Sequence, residues 1–121
     1  MSQTGFSEFE RNFASIANIM TLHVHNIAIE KGFWDTDEQG HLGAKIALMH
    51  SELSELLDVV RKDTSLKSDK LPNVLAVAEE LADVVIRVMD FAGRLTIPLG
   101  DAIVEKVRFN AGREFRHGKR F

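Results

Sequence analysis

Apolar side chains recur at helical spacing along this chain, and the polar breaks between the stripes divide it into four segments. Phe9, Phe13, Ile16, Ile19 and Met20 mark the first. Ser7 and Glu10 stand at capping-box spacing before it and Gly32 is a good stop after it, so helix 1 is expected over about 7–31. A turn-rich stretch with Gly32, Asp35, Thr36, Asp37 and Gly40 follows. Ile46, Met49, Leu53, Leu56, Leu57 and Val60 then stripe helix 2, which ends near Lys62 at the polar run DTSLKSDK. Pro72 suits the first position of helix 3, which closes near Gly93. Thr96, Pro98 and Gly100 make a short turn before helix 4, expected over about 99–111. The pattern predicts an all-α chain, a four-helix bundle forming one domain over 1–121.

Helix 3 carries more apolar surface than one face holds. Val84, Val85, Ile86, Val88, Met89 and Phe91 go round it, so it is either packed on two sides by its own chain or shared with another subunit. Only 2 prolines and no tyrosine fit a helical protein better than a turn-rich β sandwich, and 0 cysteines rule out a disulfide framework. A net charge of −3 argues against a general nucleic-acid binder, although the C-terminal stretch is basic: Lys106 to Phe121 holds six Lys or Arg and one Glu. No apolar run approaches membrane-spanning length, and MSQTGFSEFERNF does not read as a signal peptide. The expectation is a cytoplasmic protein that binds neither membrane nor nucleic acid.

Against that background two acidic pairs stand out, Glu52/Glu55 and Glu80/Asp83, each inside a strongly apolar helical stretch. Their i, i+3 spacing turns both carboxylates of a pair the same way. Glu55 lies seven residues before Lys62 and Glu80 eight after Pro72, so an antiparallel hairpin folded between them brings all four acids to one level. Four hard oxygen donors around one space suit Mg²⁺, with Mn²⁺ as a substitute, and no Cys is present to favour a softer ion. The bland alternative is a set of solvated acids tied to nearby Lys or Arg, but two matched pairs at one level weigh against it.

These residues resemble the MazG-type all-α nucleoside triphosphate pyrophosphohydrolases, particularly the short phage-like and dCTPase-like members. The family's metal motif, E-x-x-E then E-x-x-D, reads here Glu52-Leu-Ser-Glu55, 24 intervening residues, and Glu80-Leu-Ala-Asp83. The similarity extends to HNIAIEKGFWD before the first motif and KVRFNAGREFRHGKRF after the second. Many members have a further Glu just before the first motif, where this chain has Ser51. The resemblance implies Mg²⁺-dependent cleavage of a nucleoside triphosphate, dCTP-like or non-standard, to the monophosphate and pyrophosphate, by a homodimer or homotetramer. It makes Glu52, Glu55, Glu80 and Asp83 both metal ligands and catalytic groups. Such cleavage needs an in-line water and cations to neutralise phosphate oxygens.

Lys106, Asn110 and Arg113, at i, i+4 and i+7, resemble the family's phosphate-contacting K-x-x-x-N-x-x-R element, and Arg113 offers a planar fork for phosphate oxygens. His25 and Trp34 have the spacing of a His and Trp that line the base pocket in dCTPase-like relatives; an indole stacks on a base and an imidazole bonds to its edge. His50, just before the first motif, suits equally a place behind the metal ligands or a helix face near a subunit contact. Two other readings compete. Phosphoribosyl-ATP pyrophosphohydrolase shares the metal motif, but the His25 and Trp34 segment points away from it. A non-enzymatic helical interaction module would need no metal and no basic clamp. A di-iron bundle is disfavoured because neither Glu52 nor Glu80 has a His three residues on.

Overall fold

The computed structural model describes residues 5–35 and 40–121, and it is helical throughout the named elements: α1 (Glu8–Glu30), α2 (Gly40–Lys62), α3 (Ala76–Arg94) and α4 (Leu99–Ala111), followed by a short 3₁₀ turn, Phe115–Gly118. Thr36 and Asp37, expected in the first loop, lie outside the described residues.

Each helix end has a local cause. Ser7 Oγ accepts the Glu10 N–H at 3.1 Å and Glu10 Oε1 accepts the Ser7 N–H at 2.8 Å, the reciprocal box the sequence predicts. Arg108 of α4 donates to both oxygens of the same carboxylate at 2.7 Å and to the Gly5 carbonyl at 2.8 Å, tying α4 to the start of α1. That bidentate guanidinium, before the capping bonds, holds the Glu10 carboxyl down to about 2. At the far end Gly32 takes φ +85, which its missing Cβ permits.

The start of α3 departs from the sequence expectation. Pro72 does not open the helix; α3 begins at Ala76. The Leu71 carbonyl accepts the Val74 N–H at 2.9 Å, which puts Pro72 at the second position of a β-turn, where its fixed φ and missing N–H are equally welcome. Around that turn Ser68 N–H donates to Val74 O at 2.8 Å and Ala76 N–H to Leu66 O at 2.9 Å, with Lys67 and Leu75 in an antiparallel bridge. The loop between α2 and α3 is thereby closed by its own backbone bonds.

The helices lie in the order α2, α3, α1, α4: α3 packs on α2 and α1, and α1 also packs on α4. Two glycines allow the close crossings. A Cβ on Gly100 would stand 2.4 Å from the Ala14 carbonyl oxygen, and one on Gly93 would stand 2.6 Å from His25 Cβ. Small residues therefore face inward along α1, where Ala14, Ala17, Thr21 and His25 are the buried positions.

The larger apolar residues of the α1 stripe face outward. Phe9 is 80% exposed, Ile16 66% and Ile19 67%, and Leu53 and Leu57 of α2 and Val85 and Ile86 of α3 are also exposed. The chain's accessible surface is 8846 Å², whereas folded monomers of 13.6 kDa average about 6,600 Å². The exposed apolar side chains of α1, α2 and α3 are part of that excess. Among the described residues no helix is long and apolar enough to cross a membrane.

Candidate metal centre

The polar loop folds α2 and α3 into an antiparallel hairpin, and the four acids of the sequence meet on it. One carboxylate oxygen each from Glu52, Glu80 and Asp83 lies within 4.8 Å of the others. Glu55 joins through side-chain hydrogen bonds to Glu52 and Glu80. The matching of 52 with 83 and of 55 with 80 is what equal distances from an antiparallel loop require.

The electrostatics record the crowding. The hydrogen bond and charge of Glu52 push the Glu55 carboxyl above its ordinary range, with Glu80 adding to the effect. Burial raises Glu80, reinforced by the charges of Asp83, Glu79 and Glu52. Burial also raises Asp83, with Glu52 and Glu79 in the same direction and Lys70 and Arg87 opposing. Arg87 donates through Nε to Glu52 Oε1 at 3.2 Å, and its Nη2 forms an ion pair with the same oxygen at 3.2 Å. Glu80 Oε2 is buried and has no hydrogen-bond partner among the described residues. A buried acceptor of that kind is costly unless something electropositive meets it. Clustered oxygens, one of them unpartnered, fit a hard divalent cation such as Mg²⁺, held by Glu52, Glu80 and Asp83 with Glu55 at the edge.

A cleft of about 550 Å³ opens beside the acids. Glu52, Glu55 and Asp83 line it together with Lys31, Lys70 and Arg87, and Val24, Ile27, Ala28, Phe33 and Ile86 provide apolar wall. Asp90 also lines it, two helical turns beyond Asp83 and therefore about 10.5 Å along the same face of α3. A volume and polarity of this kind suit a small polar ligand.

His25 and Trp34 do come together, but on Asp90 and one layer behind the cleft. His25 Nδ1 and Trp34 Nε1 each bond to Asp90 Oδ1 at 2.8 Å, and the two rings meet edge-on with centroids 5.6 Å apart. Trp34 is only 7% exposed, with the Lys45 ammonium 4.4 Å and the Arg94 guanidinium 4.9 Å from its ring centre. Neither His25 nor Trp34 is among the residues lining the cleft; Phe33 is. Lys45 is itself buried and donates to the Phe33 carbonyl at 2.8 Å, and that burial pushes its ammonium below the ordinary lysine range. His50 is exposed.

Lys106 and Asn110 lie on α4, but the helix ends at Ala111, so Arg113 follows it from the segment beyond Gly112 rather than sharing its face. Lys106 and Arg113 both cover the Phe109 ring, at 4.9 and 5.4 Å. Within one chain they stand apart from the acids, since the cleft is lined from α1, α2, α3 and the segments beside them. Comparison with protein-family models, characterised proteins and solved structures finds no match.

Lys31, Lys70, Arg87 and Asp90 of the cleft escaped sequence reasoning. Arg87 and Asp90 had a usable signal, because with Asp83 they stand at i, i+4 and i+7 on one face of an apolar helix. Lys70 had none: it enters the cleft from an irregular loop, and periodicity says nothing about where a loop residue points.

Proposed function

We propose that this protein is a Mg²⁺-dependent nucleoside triphosphate pyrophosphohydrolase of MazG type, converting a nucleoside or deoxynucleoside triphosphate to the monophosphate and pyrophosphate. The observation that carries the reading is the convergence of Glu52, Glu80 and Asp83 oxygens within 4.8 Å at the edge of a 550 Å³ cleft, with the Glu80 Oε2 atom unpartnered. Bound Mg²⁺ would neutralise phosphate oxygens and acidify a coordinated water.

The chain's own groups divide the remaining tasks. Glu52, Glu80 and Asp83 would hold the cation, and Arg87 fixes Glu52 in place through one hydrogen bond and one ion-pair contact, each at 3.2 Å. Glu55, exposed at the edge of the group and raised by its neighbours, is placed to orient the attacking water and take its proton. The apolar wall with Phe33 receives the sugar and base. Incubating the purified protein with a panel of ribo- and deoxynucleoside triphosphates, with Mg²⁺ or Mn²⁺ and with a chelator, tests this directly. Metal-dependent release of pyrophosphate and monophosphate is expected from at least one nucleotide. An inactive panel sinks the reading.

The protein also works as a homo-oligomer. The support is the apolar surface left by one chain, about 2,200 Å² more accessible area than the scaling for a folded monomer gives. A second copy is also the route by which Lys106, Asn110 and Arg113 could reach a phosphate. Sedimentation equilibrium should return a multiple of 13.6 kDa; a monomer at micromolar concentration would refute the assignment.

A further inference from the structure

The cleft contains cations that no motif predicts, and one of them is carried by the loop between α2 and α3, which its own hydrogen bonds close. Ser68 is 5% exposed, although it lies in a polar connection. Its hydroxyl donates to Glu79 Oε1 at 2.5 Å and accepts the N–H groups of Lys70 at 3.1 Å and Leu71 at 3.0 Å. With the Lys67–Leu75 bridge and the Leu71–Val74 turn, these bonds fix the backbone of Lys70 against the first turn of α3.

The fixed backbone carries the Lys70 side chain into the cleft lining beside Glu52, Glu55 and Asp83. Arg87 is committed to Glu52, whereas among the described residues neither Lys70 nor Lys31 forms an ion pair within 4.0 Å. Lys31 reaches the same cleft from the end of α1. Two ammonium groups that form no ion pair within 4.0 Å among the described residues, next to a cluster of acids, are arranged for an anion that arrives together with a metal ion.

We propose that Lys70, set by the Ser68 turn and assisted by Lys31, is the residue that binds the terminal phosphates of the substrate, the part that leaves as pyrophosphate. This rests on the pyrophosphohydrolase reading, and it gives a single chain phosphate donors of its own, independent of the α4 set. An ammonium there forms charge-assisted bonds to oxygens on which negative charge builds as the α–β bond breaks.

The test is calorimetric titration of inorganic pyrophosphate into the protein with saturating Mg²⁺. Lys70→Met should weaken binding about tenfold or more, the scale of one charge-assisted contact. Lys70→Arg should restore most of the affinity, and Ser68→Ala should weaken it in the direction of Lys70→Met. Lys62→Met removes the same charge from the exposed end of α2 and should bind as the unmodified protein does. The assignment is overturned if Lys70→Met binds pyrophosphate normally, if Lys62→Met loses as much, or if the unmodified protein does not bind it. Failure of the enzymatic reading is seen separately: an inactive nucleotide panel alongside Lys70-dependent pyrophosphate binding leaves the anion site standing and removes the hydrolase.

Discussion

Asp83→Asn is expected to reduce nucleotide hydrolysis by roughly 10³-fold, the upper scale for losing one electrostatic stabiliser of a transition state, while the protein stays folded. Asp83 is one of three acids with oxygens within 4.8 Å of each other, so the amide removes a ligand charge where the proposed cation would be held. The same replacement relieves repulsion in the metal-free protein. Glu55 and Glu80 are raised from 4.5 and Asp83 from 3.8, so the folded state holds these protons more tightly than the unfolded chain does. Their contribution to stability is fully present below the unfolded values and is lost as pH rises through the higher folded ones. Glu10, lowered to about 2, has the opposite sign, but its effect falls below that window. In chelator, the unmodified protein should therefore lose stability as pH rises from about 4, and Asp83→Asn should show a shallower loss. Activity assays and thermal melts across pH read both effects. Retained turnover would remove Asp83 from the metal centre, and a variant that fails to fold would make the acids structural.

Trp34→Ala is expected to lower unfolding free energy by about 3–5 kcal/mol, the usual range for a buried tryptophan. The loss goes beyond the vacated volume. Asp90 forfeits one of the two donors on Oδ1, and the buried Lys45 ammonium loses the ring 4.4 Å away. Trp34→Phe keeps a ring and loses only the N–H, so it should cost about 1–3 kcal/mol. Urea unfolding at matched protein concentration measures both, since association would shift the apparent values. The spacing of His25 and Trp34 suggested instead a residue that stacks on the base. Unchanged stability of Trp34→Ala with a raised Michaelis constant would restore that role and refute the structural one.

The hairpin of acids was legible before any coordinates because it depends on two quantities a sequence carries, helical periodicity and distance from a loop. The capping box at Ser7, the stop at Gly32 and the span of α4 were legible for the same reason: their causes lie within a few residues. Pro72 misled because a helix N-terminus and a β-turn make identical demands on proline, and the choice fell to hydrogen bonds between Leu66, Ser68, Val74 and Ala76. The large apolar stripe of α1 marked the helix correctly and left its packing open. A stripe of Phe and Ile signals burial without saying against what, while the inward face is built of Ala14, Ala17 and Thr21, small enough for Gly100 and Gly93 to approach.

By itself, then, the sequence determined that this chain is four helices and that Glu52, Glu55, Glu80 and Asp83 share a level, because both follow from short-range geometry along the backbone. Only the tertiary structure decided that Asp90 gathers His25 and Trp34 behind the cleft, that Lys70 enters it from a loop, and that Lys106 and Asn110 of α4, with Arg113 just after it, are not among the residues that line it. Those placements arise from the angles at which helices cross and from backbone pairing within a loop. Neither leaves a periodic trace in the order of residues.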